Sequence, residues 1–382
     1  MGSGLVKSTR RWSDAVFRAP RRGAPDARLT VGVLPGEGIG PEVISAALRV
    51  LAGLESPGGP VFEVCTGGAI GRDAELLSGR ALTEEVATFC GGVFARGGAV
   101  LAGPGGGRFV YDLRRRFDLF CKLSPLRPIE PLLDAGRLKA GSVAGTDILI
   151  VRENVGGVYQ GQWRDTVDEP EGRVCEHSFR YSEPQVRRLL DVAARLAAGR
   201  RGRLSIVIKE SGIPSVSALW RDVGREAAVR AQVDVEFVDI DLAAYRLLQE
   251  PLAFDVIATS NLFGDVLADL GAVLLSSRGV SFSGNFSAEG AAVYQTNHGS
   301  ALDLAEQGRA NPIGQIASLA MLLRESFGLH REAGWIEAAV AEVLRHGFRT
   351  FDVAEQGTTL VGTAEMGERI AALVERMARP AE

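Results

Sequence analysis

Short apolar runs alternate along the chain with longer segments of helical periodicity. Leu29-Thr-Val-Gly-Val-Leu34, Ala99-Val-Leu-Ala102, Asp147-Ile-Leu-Ile-Val-Arg-Glu-Asn154, Leu204-Ser-Ile-Val-Ile-Lys209, Asp234-Val-Glu-Phe-Val-Asp-Ile-Asp241, Phe254-Asp-Val-Ile-Ala-Thr259 and Ala291-Ala-Val-Tyr294 read as strands. Most are apolar on both faces, as strands of a parallel sheet covered on both sides must be. Helical periodicity predicts helices over 42–54, 83–94, 182–198, 312–326, 333–344 and 363–377, and a basic helix over 108–122. In 182–198 the stripe is Val186, Leu189, Leu190, Ala193 and Leu196, with Ser182 placed to cap it. A further helix is predicted to begin near Gly264, after a turn formed by Asn261-Leu-Phe-Gly. Strands alternating with helices, with no internal repeat, make this an α/β protein whose ligands should gather at strand ends.

Composition narrows the function. The 382 residues are 46% hydrophobic and 24% charged, with a formal net charge of −4, which argues against nucleic acid or a membrane surface as the main partner. No apolar run approaches the length of a membrane span. Cys65, Cys90, Cys121 and Cys175 are widely spaced without a C-x-x-C pair, so they read as reduced, mostly buried thiols of a cytoplasmic protein. Residues 1–28 carry Arg10, Arg11, Arg18, Arg21, Arg22 and Arg28 among few acids, and are expected to form a disordered basic tail.

The candidate chemistry sits at the strand ends. Asp265 and Asp269 are four apart, so on a helix their carboxylates lie on one face, an arrangement suited to a hard divalent cation. Arg114 lies in the basic helix, Arg152 at the end of one strand, and Lys209 at the end of another. Arginines clamp carboxylates, a divalent cation polarises a carbonyl, and a lysine and a tyrosine can move protons. The glycines Gly36, Gly38 and Gly40 are spaced G-x-G-x-G, which is not the dinucleotide fingerprint of a Rossmann loop. These residues alone lead to metal-assisted chemistry on a small polyanion.

An ordered series of segments goes further. Leu34-Pro-Gly-Glu-Gly-Ile-Gly-Pro-Glu42, Leu113-Arg-Arg-Arg-Phe-Asp-Leu119, Val151-Arg-Glu-Asn154 with Gly157-Val-Tyr159, Asn261-Leu-Phe-Gly-Asp265, His298-Gly-Ser300, Ala310-Asn-Pro312 and Thr363-Ala-Glu-Met-Gly367 stand in the order found in one family. From about Leu29 to Arg379 the chain resembles the isocitrate/3-isopropylmalate dehydrogenases, which are β-decarboxylating dehydrogenases. The resemblance implies that family's fold, two α/β subdomains sharing a central mixed sheet rather than a Rossmann fold. One subdomain, on the cofactor side, would comprise 29–119 plus 276–382, and a substrate, metal and dimerisation domain would comprise 120–275. It also implies a homodimer with shared active sites. Asp265, Asp269 and Asp241 of a second subunit would hold Mg2+ or Mn2+; Asp239 is a rival, but the interval from Asp241 to Pro251 matches the family. Lys209 would take the hydroxyl proton and Tyr159 would protonate the enolate. Arg114 and Arg152 would bind the malate carboxylates. His298 and Gly299 would lie along the adenosine of NAD and Asn311 would contact adenine. Asp303 would accept hydrogen bonds from a free ribose 2′-hydroxyl and repel the phosphate of NADP.

The chain also departs from that pattern. The family's third substrate arginine falls on Ser124, with Arg127 three residues further on, so either Arg127 is its replacement or the clamp has lost one arginine. Arg108 stands in the loop that reads the substrate's 3-substituent and hints at an anionic one, while Val110 and Tyr111 argue otherwise. The expectation is NAD-dependent oxidative decarboxylation of a 3-substituted malate. Homoisocitrate, tartrate and a phosphonomethylmalate compete with 3-isopropylmalate and isocitrate as substrate. A non-catalytic regulatory subunit is the alternative of a different class.

Overall fold

The structure is a computed structural model that describes residues 11–18, 28–56 and 59–379. Its strands in chain order are β1 (Leu29–Leu34), β2 (Phe62–Thr66), β3 (Ala99–Ala102), β4 (Cys121–Leu126), β5 (Ile148–Glu153), β6 (Gln162–Glu169), β7 (Gly172–Ser178), β8 (Arg203–Ile208), β9 (Asp234–Asp239), β10 (Val256–Thr259), β11 (Phe282–Phe286), β12 (Ala292–Thr296) and the two-residue β13 (Phe348–Arg349) and β14 (Thr359–Leu360). Ten of them form one mixed sheet in the order β2-β1-β3-β12-β11-β4-β5-β10-β8-β9. The ladders are parallel except β12–β11, β11–β4 and β4–β5 at the middle of the sheet. Strands drawn from 29–119 and 276–382 build the half that ends at β11, and strands drawn from 120–275 build the half that begins at β4.

The parallel strands are apolar because helices cover them. β3, β5 and β10 are buried at every position. The helix Ile313–Phe327 packs on β3, β11 and β12, and the helix Glu183–Ala198 packs on β5, β8 and β10. Each fully buried Leu, Ile or Val in these strands contributes roughly 1.5–3 kcal/mol relative to an exposed one. β6 and β7 stand apart as an exposed antiparallel ribbon, a unit that is marginal by itself in water.

Several expectations need correction. The basic helix spans only Phe109–Arg116, and what reads as its end is β4. Lys122, Ser124 and Pro125 break the apolar pattern of β4 and hide a strand that is nonetheless buried throughout. The helix after β10 begins at Asn261 rather than Gly264, so the Asn-Leu-Phe-Gly segment is helical. Residues 1–28 are not a uniform tail: Trp12–Ala15 form a short 3-10 helix, and Ser13, Val16 and Phe17 are buried against the body. Ser13 donates from its amide to a carboxylate oxygen of Glu325 (2.9 Å) and from its hydroxyl to the Glu325 carbonyl (2.7 Å). The rest of the expected tail lies outside the described residues. Of the cysteines, Cys90 and Cys121 are buried, Cys65 is half-buried and Cys175 is exposed on the ribbon, so "mostly buried" holds for two of them. Among the described residues no helix is long and apolar enough to cross a membrane.

Candidate active site

The site grows from the end of β5 and the helix Asn261–Gly271 that follows β10. β5 and β10 pair in parallel with Arg152 opposite Thr259, so Arg152 and the start of that helix arrive together. Arg152 is 2% exposed. Its Nε and Nη2 donate to Oδ1 of Asn261 (3.1 and 2.7 Å), and Nη1 donates to Oδ1 of Asp265 (2.5 Å). Asn261 in turn donates to the Gly156 carbonyl (2.9 Å), which fixes the arginine's orientation. The Tyr159 hydroxyl donates to the other oxygen of Asp265 (2.9 Å). Burial by itself would raise the Asp265 pKa, but the charges of Arg152 and Lys122 and the Tyr159 hydroxyl hold it below the ordinary value. Burial and the adjacent Asp265 push the Tyr159 pKa well up, so this phenol keeps its proton and can only donate it.

Two further cations complete this floor. Arg114 lies in the last turn of the helix Phe109–Arg116 and is 4% exposed, with its Nε buried and unpartnered among the described residues. Burial and the Arg152 charge press its pKa down to about 9. Lys122 on β4 lies directly across from Arg152 on β5, and burial with the charges of Arg114 and Arg152 pushes its pKa well down. Lys122 is not among the residues expected from sequence, where it falls at the end of the predicted basic helix; the alternation of Cys121 and Leu123 with Lys122 and Ser124 is the strand signal that points to it.

Arg127, the candidate replacement for the third arginine, is elsewhere. It follows the far end of β4, binds both oxygens of Asp147 (2.7 and 3.1 Å) and stacks over the Trp12 ring. This corrects its assignment as a substrate residue: it staples the N-terminal segment. Arg108 does stand at the rim, between the rings of Tyr111 and Trp163, with Nη2 donating to the Tyr159 carbonyl (3.3 Å).

Lys209 belongs to a second group. It follows β8 and donates to Asp239 (3.3 Å) and Asp241 (2.9 Å), at the end of β9 and the start of the next helix. The Asp241 hydrogen bond foremost raises the lysine's pKa and lowers that of the aspartate. No hydrogen bond or ion pair joins this group to Asp265 or Tyr159 among the described residues. Asp269 instead pairs with Arg278 (2.9 Å). Asp265 and Asp269 supply oxygen donors of the kind Mg2+ or Mn2+ prefers. Yet among the described residues no three acidic, histidine or cysteine side chains of one chain converge as a metal site. The donor chemistry fits, and a third donor must come from outside this group.

The cofactor-side residues lie on the loop that follows β1 and on the segment that leads from β12 into the helix Ile313–Phe327. Glu37, buried in the glycine loop after β1, accepts from the Arg72 amide (2.6 Å), the Gly106 amide (2.9 Å) and the Ser300 hydroxyl (2.7 Å), and so ties three loops together. Gly38, at φ +61°, packs so closely that a Cβ would lie 2.0 Å from the Ser300 carbonyl oxygen. Neither Glu37 nor Ser300 was singled out from sequence. His298 holds Nδ1 against the Gly299 carbonyl (3.0 Å), and its Nε2 is buried and unpartnered among the described residues, an orphan that a bound group could satisfy. Burial first, and the charge of Arg278, push its pKa down, so the ring is neutral. Gly299 is exposed, with open space where a Cβ would be. Asp303 is exposed and its carboxylate is free of hydrogen bonds and ion pairs among the described residues. Asn311 is buried and uses its side chain on Asp352 (3.0 Å) and the Ile313 amide (3.0 Å). The open glycine, the unpartnered imidazole and the free carboxylate fit a nucleotide.

Comparison with known proteins points to one family. The family model described as isocitrate/isopropylmalate dehydrogenase matches residues 30–370. A 3-isopropylmalate dehydrogenase of Aquifex aeolicus (strain VF5) is 35% identical over 361 residues, covering 91% of this chain and 97% of that protein. One from Geobacillus kaustophilus (strain HTA426) is 38% identical, covering 89% and 94%. Among solved structures, isocitrate dehydrogenase from Methylococcus capsulatus superposes with a TM-score of 0.80 at 27% identity, covering 91% of this chain and 99% of that one.

Proposed function

The chain belongs to the isocitrate/isopropylmalate dehydrogenase family, and from that premise we propose that it oxidatively decarboxylates a 3-substituted malate to a 2-oxo acid and CO2, using NAD and Mg2+ or Mn2+. The observation that carries the reading is a protonated tyrosine hydrogen-bonded to Asp265 above a buried floor of cations. Arg114 and Arg152 hold the carboxylates of the hydroxy acid. Lys209 accepts the proton of the 2-hydroxyl as its carbon is oxidised. Loss of the 3-carboxylate as CO2 leaves an enolate, and Tyr159 returns a proton to C3. When bound, a divalent cation held by Asp265, Asp269 and Asp241 would polarise the 2-oxygen, and NAD would accept the hydride. His298, Gly299, Asp303 and Asn311 are the residues proposed to face NAD, and the free Asp303 carboxylate supports NAD over NADP.

The separation of Lys209 and Asp241 from Tyr159 and Asp265 supports a homodimer in which each site is shared. Because Lys209 and Asp241 are paired on one chain, a second copy would deliver both at once. Exposed Leu242 and Tyr245 on the Asp241 helix, exposed Val266 on the Asp265 helix and exposed Trp163 on the largely polar β6–β7 ribbon offer apolar surface for it. The four free cysteines support a cytoplasmic site of action.

The test is NADH formation by the purified protein with Mn2+ on 3-isopropylmalate, isocitrate, homoisocitrate, tartrate, malate and a phosphonomethylmalate. Turnover of one member supports the reading. Preference for an anionic 3-substituent would give Arg108 its role, whereas preference for 3-isopropylmalate would make it a support for Tyr111 and Trp163. Silence on every substrate would refute the reading in favour of a regulatory subunit.

A further inference from the structure

Lys122 occupies a position that a lysine does not occupy without a reason. It is 4% exposed, on a strand buried at every residue. It stands opposite Arg152 on β5 and Asn285 on β11. Directly paired residues project from the same face, so two like charges lie side by side, an arrangement that destabilises a sheet. The Lys122 ammonium makes no hydrogen bond or ion pair among the described residues. Two carboxylates reach it with their charge, but neither is bonded to it: Asp265 is held by Arg152 and Tyr159, and Asp269 is paired with Arg278. Nearby, Nε of the buried Arg114 is unpartnered as well. A buried cation without a bonded counter-ion is costly, and three buried cations outnumber the two carboxylates near them. The missing component is an anion.

We propose that Lys122 is a substrate-binding residue that contacts a carboxylate of the hydroxy acid and, with Arg114 and Arg152, forms a three-cation floor. Ser124 lies one strand repeat further on the same face, is buried and brings no charge. The cation therefore stands two residues, roughly 7 Å of strand, nearer the Arg152 end than a charge at position 124 would. An ammonium is also a point charge that meets one oxygen, where a guanidinium would grip two. This site is thus built for a carboxylate set closer to Arg152 and held through a single oxygen. The assignment rests on the malate reading of the same site.

Calorimetric titration of malate with Mn2+ into wild type, K122M and K122R separates the two ideas. Removing one charge-assisted contact should weaken binding about 10- to 100-fold in K122M, while K122R keeps the charge and stays within about tenfold of wild type. Without ligand, K122M should melt no lower than wild type, because methionine fills similar volume without a buried charge. Equal malate affinity in wild type and K122M would overturn the assignment while leaving the malate reading standing. A lower melting temperature for K122M would make Lys122 a structural residue and overturn it too. If wild type binds no malate at all, the reading on which the assignment rests falls, and the assignment with it.

Discussion

Glu325 should make stability depend on pH in a direction opposite to that of an ordinary surface carboxylate. Its side chain is buried in the helix Ile313–Phe327, where one oxygen accepts the Ser13 amide of the docked N-terminal segment. Burial pushes its pKa from 4.5 up to about 7, although the Ser13 amide and Arg324 partly offset it. A carboxyl whose folded pKa lies above its unfolded one stabilises the fold fully below about pH 4.5, and that contribution is lost as pH rises through about 7. The span between those values amounts to about 3 kcal/mol at 1.36 kcal/mol per pH unit, with no discount for solvent because the group is buried. Glu325→Gln keeps an acceptor for the Ser13 amide and carries no charge at any pH. The variant should match wild type within about 1 kcal/mol at pH 5 and exceed it by about 3 kcal/mol at pH 8.5. Urea unfolding of both proteins at the two pH values measures this. Other groups that titrate across the range are present in both proteins and cancel in the comparison. Stability curves that run parallel from pH 5 to 8.5 would refute the reasoning.

Three further outcomes are expected. Asp265→Asn and Asp241→Asn should each abolish Mn2+-dependent NADH formation, yet mixed and reassembled subunits should recover about one quarter of wild-type activity, because each mixed dimer keeps one intact site; no recovery would refute shared sites. Asp303→Lys should shift the NAD/NADP ratio of kcat/KM at least about tenfold toward NADP, since it replaces a repelling charge with an attracting one; an unchanged ratio would end the cofactor argument. Arg127→Ala should leave KM unchanged and lower stability by about 1 kcal/mol or less, because its pair with Asp147 is half exposed; a large rise in KM would return Arg127 to the substrate site.

What could be read from sequence followed the apolar pattern. Ala99–Ala102 and Val256–Thr259 are short runs with no polar interruption, and both are strands of the central sheet. Cys121–Leu126 was missed because Lys122, Ser124 and Pro125 interrupt it, and at least Lys122 is there for the site rather than for the strand. The same blindness misplaced Arg127. Counting residues gave a basic side chain near the right interval, but β4 is extended, so Arg127 is carried to the opposite end from Arg152. Residues 11–18 were hidden in the same way, since the arginines around Trp12, Val16 and Phe17 outweighed three apolar anchors. Tyr159, Arg152, Asp265 and Arg114 were legible and do come together, through chain separations of tens of residues that only the fold closes.

The ion pairs inside the site indicate how it can be both stable when empty and ready to bind. Lys209–Asp241 and Asp269–Arg278 link groups that are all at least a third exposed, apart from the lysine at 32%, so both are weak, solvent-screened pairs. A divalent cation would therefore draw Asp241 and Asp269 away from Lys209 and Arg278 at little cost, and would leave the Lys209 ammonium with Asp239 alone (3.3 Å), so that it more readily loses the proton it must give up before it can act as a base. Arg152–Asp265 differs, because the arginine is buried and Asn261 holds its other nitrogens. That pair need not break: Asp265 already bridges Arg152 and Tyr159, and it is the fixed point against which the exposed pairs rearrange. The buried cations Arg114 and Lys122 have no ion pair to surrender among the described residues, and the carboxylates Asp265 and Asp269 offset their burial only in part, so an entering anion would relieve the rest. Weak pairs where the proposed metal would compete, and no ion pair where the proposed anion would enter, are what the proposed shared site requires.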